Sequence, residues 1–263
     1  MGADLPKVIG VVHLLPLPGS PQFGGSIGAV VERGLQDCRA YHDGEVSSLI
    51  IENFGDAPFT AGKVDPVTVA AMTLATSEFK KAFPDIEYGI NVLRNDAESA
   101  LSIATVVGAS FIRVNVYVGA VVADQGIIEG DAYRITRLGK SLSSSVKVFA
   151  DVGVKHAAKI GEYSLKQQAA DALERGLADA VIITGRRTGE AVDFTELRGL
   201  RQDFAQAKII VGSGANSGNV GELLKYANGV IVGTSVKVNG ITTNPVDPLR
   251  LKEFVKAVAP SPA

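Results

Sequence analysis

Short apolar runs rich in Val and Ile alternate along this chain with longer segments whose apolar residues recur every three or four positions. The runs predict strands at 7–14, 47–53, 87–93, 110–116, 146–152, 178–184, 207–213 and 229–233. Between them, amphipathic spacing predicts helices at 27–44, 65–83, 96–108 and 164–176. Strands apolar on both faces must be covered on both faces, which is the signature of a parallel sheet wrapped by helices. Eight such units in 263 residues match a closed (β/α)₈ barrel. No GxGxxG follows the first strand, which argues against an open dinucleotide-binding sheet.

Local signals agree with this division. Asp65-Pro66, Asp96 and Ser164 stand where helices should begin, and Gly108 and Gly176 where left-handed residues should end them. The segment 117–131 is too long for a plain turn and reads as a lid or as a subunit contact in a homo-oligomer. With no linker or low-complexity tract, residues 1–263 read as one domain whose tail frays from about 259.

Composition narrows the functional classes. A formal charge of −2 and a pI near 6.0 offer nothing to a nucleic-acid backbone or an acidic membrane. Proline interrupts the short apolar run near the N-terminus, and no stretch is long enough to span a bilayer. A lone cysteine, Cys38, allows no intrachain disulfide and reads as a packed core residue, so a reducing, cytoplasmic setting is expected.

The candidate chemistry lies at the C-terminal ends of the strands. The seventh ends in GSGANSGN and the eighth in GTSVKVNG. They place Gly212, Ser213 and Gly214 beside Gly233, Thr234 and Ser235, two loops of small residues that expose backbone N–H groups. Loops after strands seven and eight of such barrels frequently hold phosphate. A small phosphorylated metabolite is therefore the expected ligand. A single glycine loop would read simply as a tight turn; two at matching strand ends favour the anion.

Strand period two then selects the side chains that face the lumen. Ile9, Val11 and His13 are in phase, as are Ile50 and Glu52, Gly89 and Asn91, Phe111, Arg113 and Asn115, Phe149 and Asp151, and Ile182 and Thr184. Glu52 and Asp151 form the candidate acid–base pair, with His13, Arg113, Asn115 and Lys155 around them. Asn53, Asn91, Thr184 and Arg186 are the further candidates for binding substrate, and Arg187 extends that last basic loop. A purely structural ion-pair cluster of Glu52, Asp151 and Arg113 is the competing reading. Metal-dependent hydrolysis using His13, Glu52, Asp151 and His156 is a third reading: those types could ligate a divalent ion, although no HxH-like spacing supports it, and no cofactor is expected.

VVHLLPLPGSP, LIIENFGDAPF, INVLRNDAESAL, FIRVNVYVGAVVADQGIIEG, VFADVGVKHA, VGSGANSGNV and IVGTSVKVNG together resemble the BtpA family, which includes SgcQ-like proteins, across nearly the whole chain. Gly153 departs from the family pattern, which places a polar residue, often His, between ADV and VKHA. The resemblance implies a TIM barrel of the ribulose-phosphate-binding type. It also implies two different activities: nucleosidase chemistry, as ascribed to SgcQ-like members, or photosystem I biogenesis, after which the family is named. The reading favoured here is an enzyme acting on a phosphorylated sugar or nucleoside-like metabolite, by isomerisation, lyase or glycosidic chemistry.

Overall fold

In the computed structural model of the chain, residues 5–153, 157–185 and 191–258 are described. Eight parallel strands close a barrel: β1 (Val8–His13), β2 (Ser48–Glu52), β3 (Glu87–Asn91), β4 (Phe111–Val114), β7 (Lys147–Val152), β9 (Ala180–Ile183), β10 (Ile209–Val211) and β11 (Gly229–Val232). β11 returns to pair with β1, with Val8 opposite Val230, so the sheet has no edge. Helices α1 (Ile27–Asp43), α2 (Pro66–Ala82), α3 (Ala97–Val107), α4 (Ala132–Ser141), α5 (Leu165–Ala170), α6 (Phe194–Asp203), α7 (Val220–Leu223) and α8 (Pro248–Val258) follow the barrel strands.

The two strand faces enter two different cores. Ile9, Val11, Ile50, Phe111, Phe149, Ala180, Ile182, Ile210 and Ile231 pack inside the barrel as one cluster. Their strand neighbours, such as Val12, Ile51, Ile90, Ile112 and Val181, pack against the helices. Phe111 and Phe149 stack in the lumen with centroids 4.5 Å apart. Gly89 makes room for that stack, because a Cβ there would fall inside the Phe111 ring.

The helix ends expected at Asp65, Asp96, Ser164 and Gly108 are present, Gly176 does not take the expected left-handed conformation, and Ser26 is a cap the sequence reading did not single out. The side chains of Ser26, Asp96 and Ser164 accept hydrogen bonds from the amides of Ala29, Ser99 and Gln167. Asp65 precedes Pro66 without a side-chain bond. Gly108 is left-handed as expected, at φ 67°. Gly176 is not, at φ −80°. A π-turn over Asp171–Arg175 closes through the Gly176 amide onto Asp171 and passes the left-handed conformation to Leu177. Gly176 is needed for a different reason: a Cβ there would come within 2.8 Å of both the Ala172 carbonyl and the Tyr117 ring.

The long segment after β4 has regular structure of its own. β5 (Ala120–Ala123) and β6 (Gly126–Glu129) form an antiparallel hairpin, and β8 (Ala157–Lys159) adds a third strand on β5. This small sheet joins the loop after β4 to the loop after β7 at the C-terminal end of the barrel.

A buried ion pair anchors the chain beyond β11. Lys237 Nζ lies 2.5 Å from Asp37 Oδ2 on α1, and Asp37 Oδ1 accepts from the Val246 amide at 2.8 Å. Both side chains are essentially inaccessible. The pair fixes the stretch that carries Gly233–Ser235.

Two outcomes test this packing. Gly89→Ala is expected to cost about 1–3 kcal/mol through overpacking against Phe111, read as a lower urea midpoint with unchanged slope. Asp37→Asn leaves the Lys237 ammonium buried and unpaired, and is expected to cost about 3–5 kcal/mol. Adding Lys237→Met should recover most of that loss, and a double variant no more stable than Asp37→Asn would refute the pairing.

Candidate functional site

Four strand ends bring five polar side chains to one place. Arg113 on β4 and Asp151 on β7 meet in a bidentate pair, Nε to Oδ1 and Nη2 to Oδ2, both at 2.9 Å. Asn115 Nδ2 donates to the same Oδ2 at 3.0 Å. On the other side Arg113 Nη1 lies 3.9 Å from Glu52 Oε2, which accepts a 2.7 Å hydrogen bond from Asn91 Nδ2. All five side chains are buried. Burial alone would push the Arg113 guanidinium down, but the Asp151 charge and hydrogen bonds, with Glu52 beyond, more than offset it, and its pKa is raised. Arg94, also buried and within the field of this cluster, moves down instead, because burial outweighs the attraction of Asp151 and Glu52.

A cavity of about 200 Å³ opens beside this cluster and runs to the two glycine loops. Glu52, His13, Arg113 and Phe54 line it together with Gly212–Asn216 and Gly233–Ser235, and Gly233 lies directly against the His13 ring. Asp151 is not part of the wall, and its side chain is wholly buried against Arg113. The two carboxylates predicted to face one cavity thus take different places: Glu52 borders the space, and Asp151 is enclosed by Arg113 and Asn115. His13 stacks edge-on against Phe54 with centroids 4.8 Å apart.

The glycine loops are held by their own side chains. Asn219 donates to the Gly214 carbonyl at 2.9 Å and accepts from the Asn216 amide at 2.9 Å. Ser235 Oγ donates to the Ala215 carbonyl at 2.7 Å and ties one loop to the other. Ser213 Oγ accepts from the Gly185 amide, and Thr234 shares a hydrogen bond with Thr242. Hydroxyls therefore fasten the loops, and the Gly212 amide is used within the barrel, donating to the Ile183 carbonyl at 2.7 Å. No hydrogen bond among the described residues occupies the amides of Gly214, Ala215, Thr234 or Ser235. Gly214 adopts φ 73°, where a side chain would be strained, and a Cβ on Gly233 would come within 2.9 Å of the His13 ring.

The remaining predicted residues have varied surroundings. Asn53 accepts from the Leu93 amide and donates to Asp56, whose other oxygen accepts from the Leu17 amide. Asn53 and Asp56 thereby join the loops after the first three strands, and they line a second cavity of about 310 Å³. Burial raises the Asp56 pKa against the pull of the Leu17 amide and Asn53. Thr184 donates to the Gly153 carbonyl and turns its methyl toward Gly212. Gly153 stands at φ 66°, which accounts for glycine where the family pattern has a larger residue. Lys155, His156, Arg186 and Arg187 lie outside the described residues. Among the described residues no three metal-ligating side chains gather, and no helix is long and apolar enough to cross a membrane.

Phe54, Ala215 and Gly240 are walls of the cavity that sequence reasoning missed. Asn216 and Asn219, spaced within GSGANSGN, were the legible sign of a self-braced loop.

Comparison with known proteins agrees with this geometry. The chain is 46% identical over 252 residues to the photosystem I biogenesis protein BtpA of Synechocystis sp., covering 96% of this chain and 88% of that one. It is 44% identical over 248 residues to a relative from Methanocaldococcus jannaschii, covering 94% and 93%. Among solved structures, the 2-keto-3-deoxy-6-phosphogluconate aldolase of Zymomonas mobilis with 3-phosphoglycerate superposes with a TM-score of 0.54 at 13% identity, covering 97% of this chain and 91% of that one. Phosphoribosyl anthranilate isomerase from Thermus thermophilus gives 0.57 at 11%, covering 96% and 98%. Identities this low establish the shared fold alone. With residues 5–260 matching the family's sequence pattern as well, the chain belongs to the BtpA family, and its fold is a TIM barrel.

Proposed function

We propose that this barrel is an enzyme that binds a small phosphorylated sugar or nucleoside-like metabolite and acts on it with Glu52 as the proton-transferring group. The observation that carries this reading is one cavity lined both by the two glycine loops and by the Glu52 carboxylate. Phosphate held by the loops after β10 and β11 would put the far end of a short ligand beside Glu52, His13 and Arg113. Isomerisation, lyase cleavage and glycosidic cleavage all need a proton moved at that distance from the phosphate. The phosphorylated ligand and substrates named for the barrel's structural neighbours are consistent with this choice. Arg113, fixed by Asp151, supplies a positive charge next to Glu52, and Asn91 fixes one of the Glu52 oxygens.

A second reading, a non-catalytic role in photosystem I biogenesis, is favoured by the Synechocystis relative. Supplying a Synechocystis strain that lacks its own protein with this chain, either unaltered or as Glu52→Gln, separates the two. A scaffold would work equally well in both forms.

Soaking crystals in phosphate should place the anion against Gly212–Gly214 and Gly233–Ser235; occupancy elsewhere with this site empty would overturn the assignment. In a turnover screen of phosphosugars and phosphorylated nucleosides, Glu52→Gln should lose about 10²–10⁴-fold in kcat. Its melting temperature should move by only a few degrees, since Arg113 keeps Asp151. Asp151→Asn should behave in the opposite sense and lose about 3–5 kcal/mol of stability by stripping Arg113 of its buried partner. Unchanged turnover in Glu52→Gln would remove Glu52 from the mechanism.

A further inference from the structure

The glycine loops have a second side. Beyond them a larger cavity of about 560 Å³ lies between the loop after β10 and the start of α8, lined by Asn216, Ser217, Ser235, Val236, Arg250, Glu253 and Phe254. Asn216 and Ser235 belong to the walls of both cavities, so the loops form a saddle rather than a dead end. Gly240 closes the inner cavity from the same direction, and a Cβ placed on it would stand 3.9 Å from Arg250 Nη1. The guanidinium therefore sits at the junction of the two spaces.

The charges nearby show what Arg250 is available to do. Arg113 is committed to Asp151 and Glu52, and Lys237 is committed to Asp37. Among the described residues Arg250 has only a 3.8 Å approach to Asp247, and its side chain is 45% exposed. A loosely paired guanidinium beside an anion-binding loop is suited to a second phosphate, which it can meet with two parallel N–H donors. Glu253 lies on the same wall and repels anionic groups placed further along α8. That limits recognition to one extra anionic group at Arg250, as distinct from a general affinity for polyanions.

We infer that the ligand of this barrel belongs to the diphosphate class: the phosphate on the glycine loops carries a further phosphoryl group that crosses the saddle and is held by Arg250. This rests on the phosphate reading of the inner cavity and specifies its substrate.

The test uses the full chain and two probes, inorganic phosphate and pyrophosphate, titrated calorimetrically without divalent metal. The unaltered protein should bind pyrophosphate at least about tenfold more tightly than phosphate. Arg250→Gln should abolish most of that preference while phosphate affinity changes less than about threefold. Phosphate binding with no preference for pyrophosphate, or a preference that survives in Arg250→Gln, overturns the diphosphate assignment and leaves the inner site standing. Failure of both probes to bind overturns the diphosphate assignment together with the phosphate reading on which it rests.

Discussion

Arg113 carries a permanent charge into a lumen otherwise filled by Ile, Val, Ala and Phe, and the barrel mouth is arranged around neutralising it. A guanidinium in such surroundings is tolerable only if its counter-charge is equally fixed. Asp151 meets that demand with both oxygens, and Asn115 steadies one of them. Glu52 and Arg94 complete the set, because Arg94 feels Asp151, Arg113 and Glu52 together. The two guanidiniums and the carboxylates of Asp151 and Glu52 thus form one cluster at the mouth, with Asp124 also within the field of Arg94. Within it Glu52 has the loosest ion pairing, and it is the carboxylate that borders the cavity.

The other end of the cavity uses no buried charge. Its residues are small, and their hydroxyls and amides brace the loops. Glycine serves two demands here that a turn alone would not make. Gly212 lies so close to Ile182 and Thr184, and Gly233 so close to His13, that a methyl group would collide with lumen side chains. The loops can then drop onto the lumen rim, where they line the same cavity as Glu52. The Lys237–Asp37 pair holds this arrangement from behind, by fixing the chain two residues after Ser235.

How much of this was legible depended on which interactions are local. Strand positions and their inward phase follow from period two, and Ile9, Ile50, Phe111 and Phe149 are lumen residues on that basis alone. The hairpin of β5 and β6 was less visible. Its turn, Asp124–Gln125–Gly126 between AVVA and IIE, was a usable signal, although the length of the segment read as a lid or a subunit contact. The π-turn at Asp171–Arg175 leaves no compositional trace, so Gly176 was assigned the wrong backbone role. Lys237 and Asp37 stand 200 positions apart, and no pattern in either segment pairs them.

Strand phase says which side chains enter the lumen and leaves open which of them touch; register decides that. His13, Glu52 and Asn91 are aligned across β1, β2 and β3, and the Asn91–Glu52 hydrogen bond is this direct cross-strand pair. Arg113 is aligned with Phe149, so Asp151, two residues further on the same face, is its diagonal neighbour. On its other side Asp151 is aligned with Ile182, which offers no donor. Its described side-chain hydrogen bonds therefore come from β4 and the residue just beyond it, from Arg113 and Asn115. The two carboxylates share a phase and a depth, and differ because one has a neutral donor alongside it and the other has a guanidinium. That difference in register leaves Glu52 on the cavity wall and encloses Asp151 between Arg113 and Asn115.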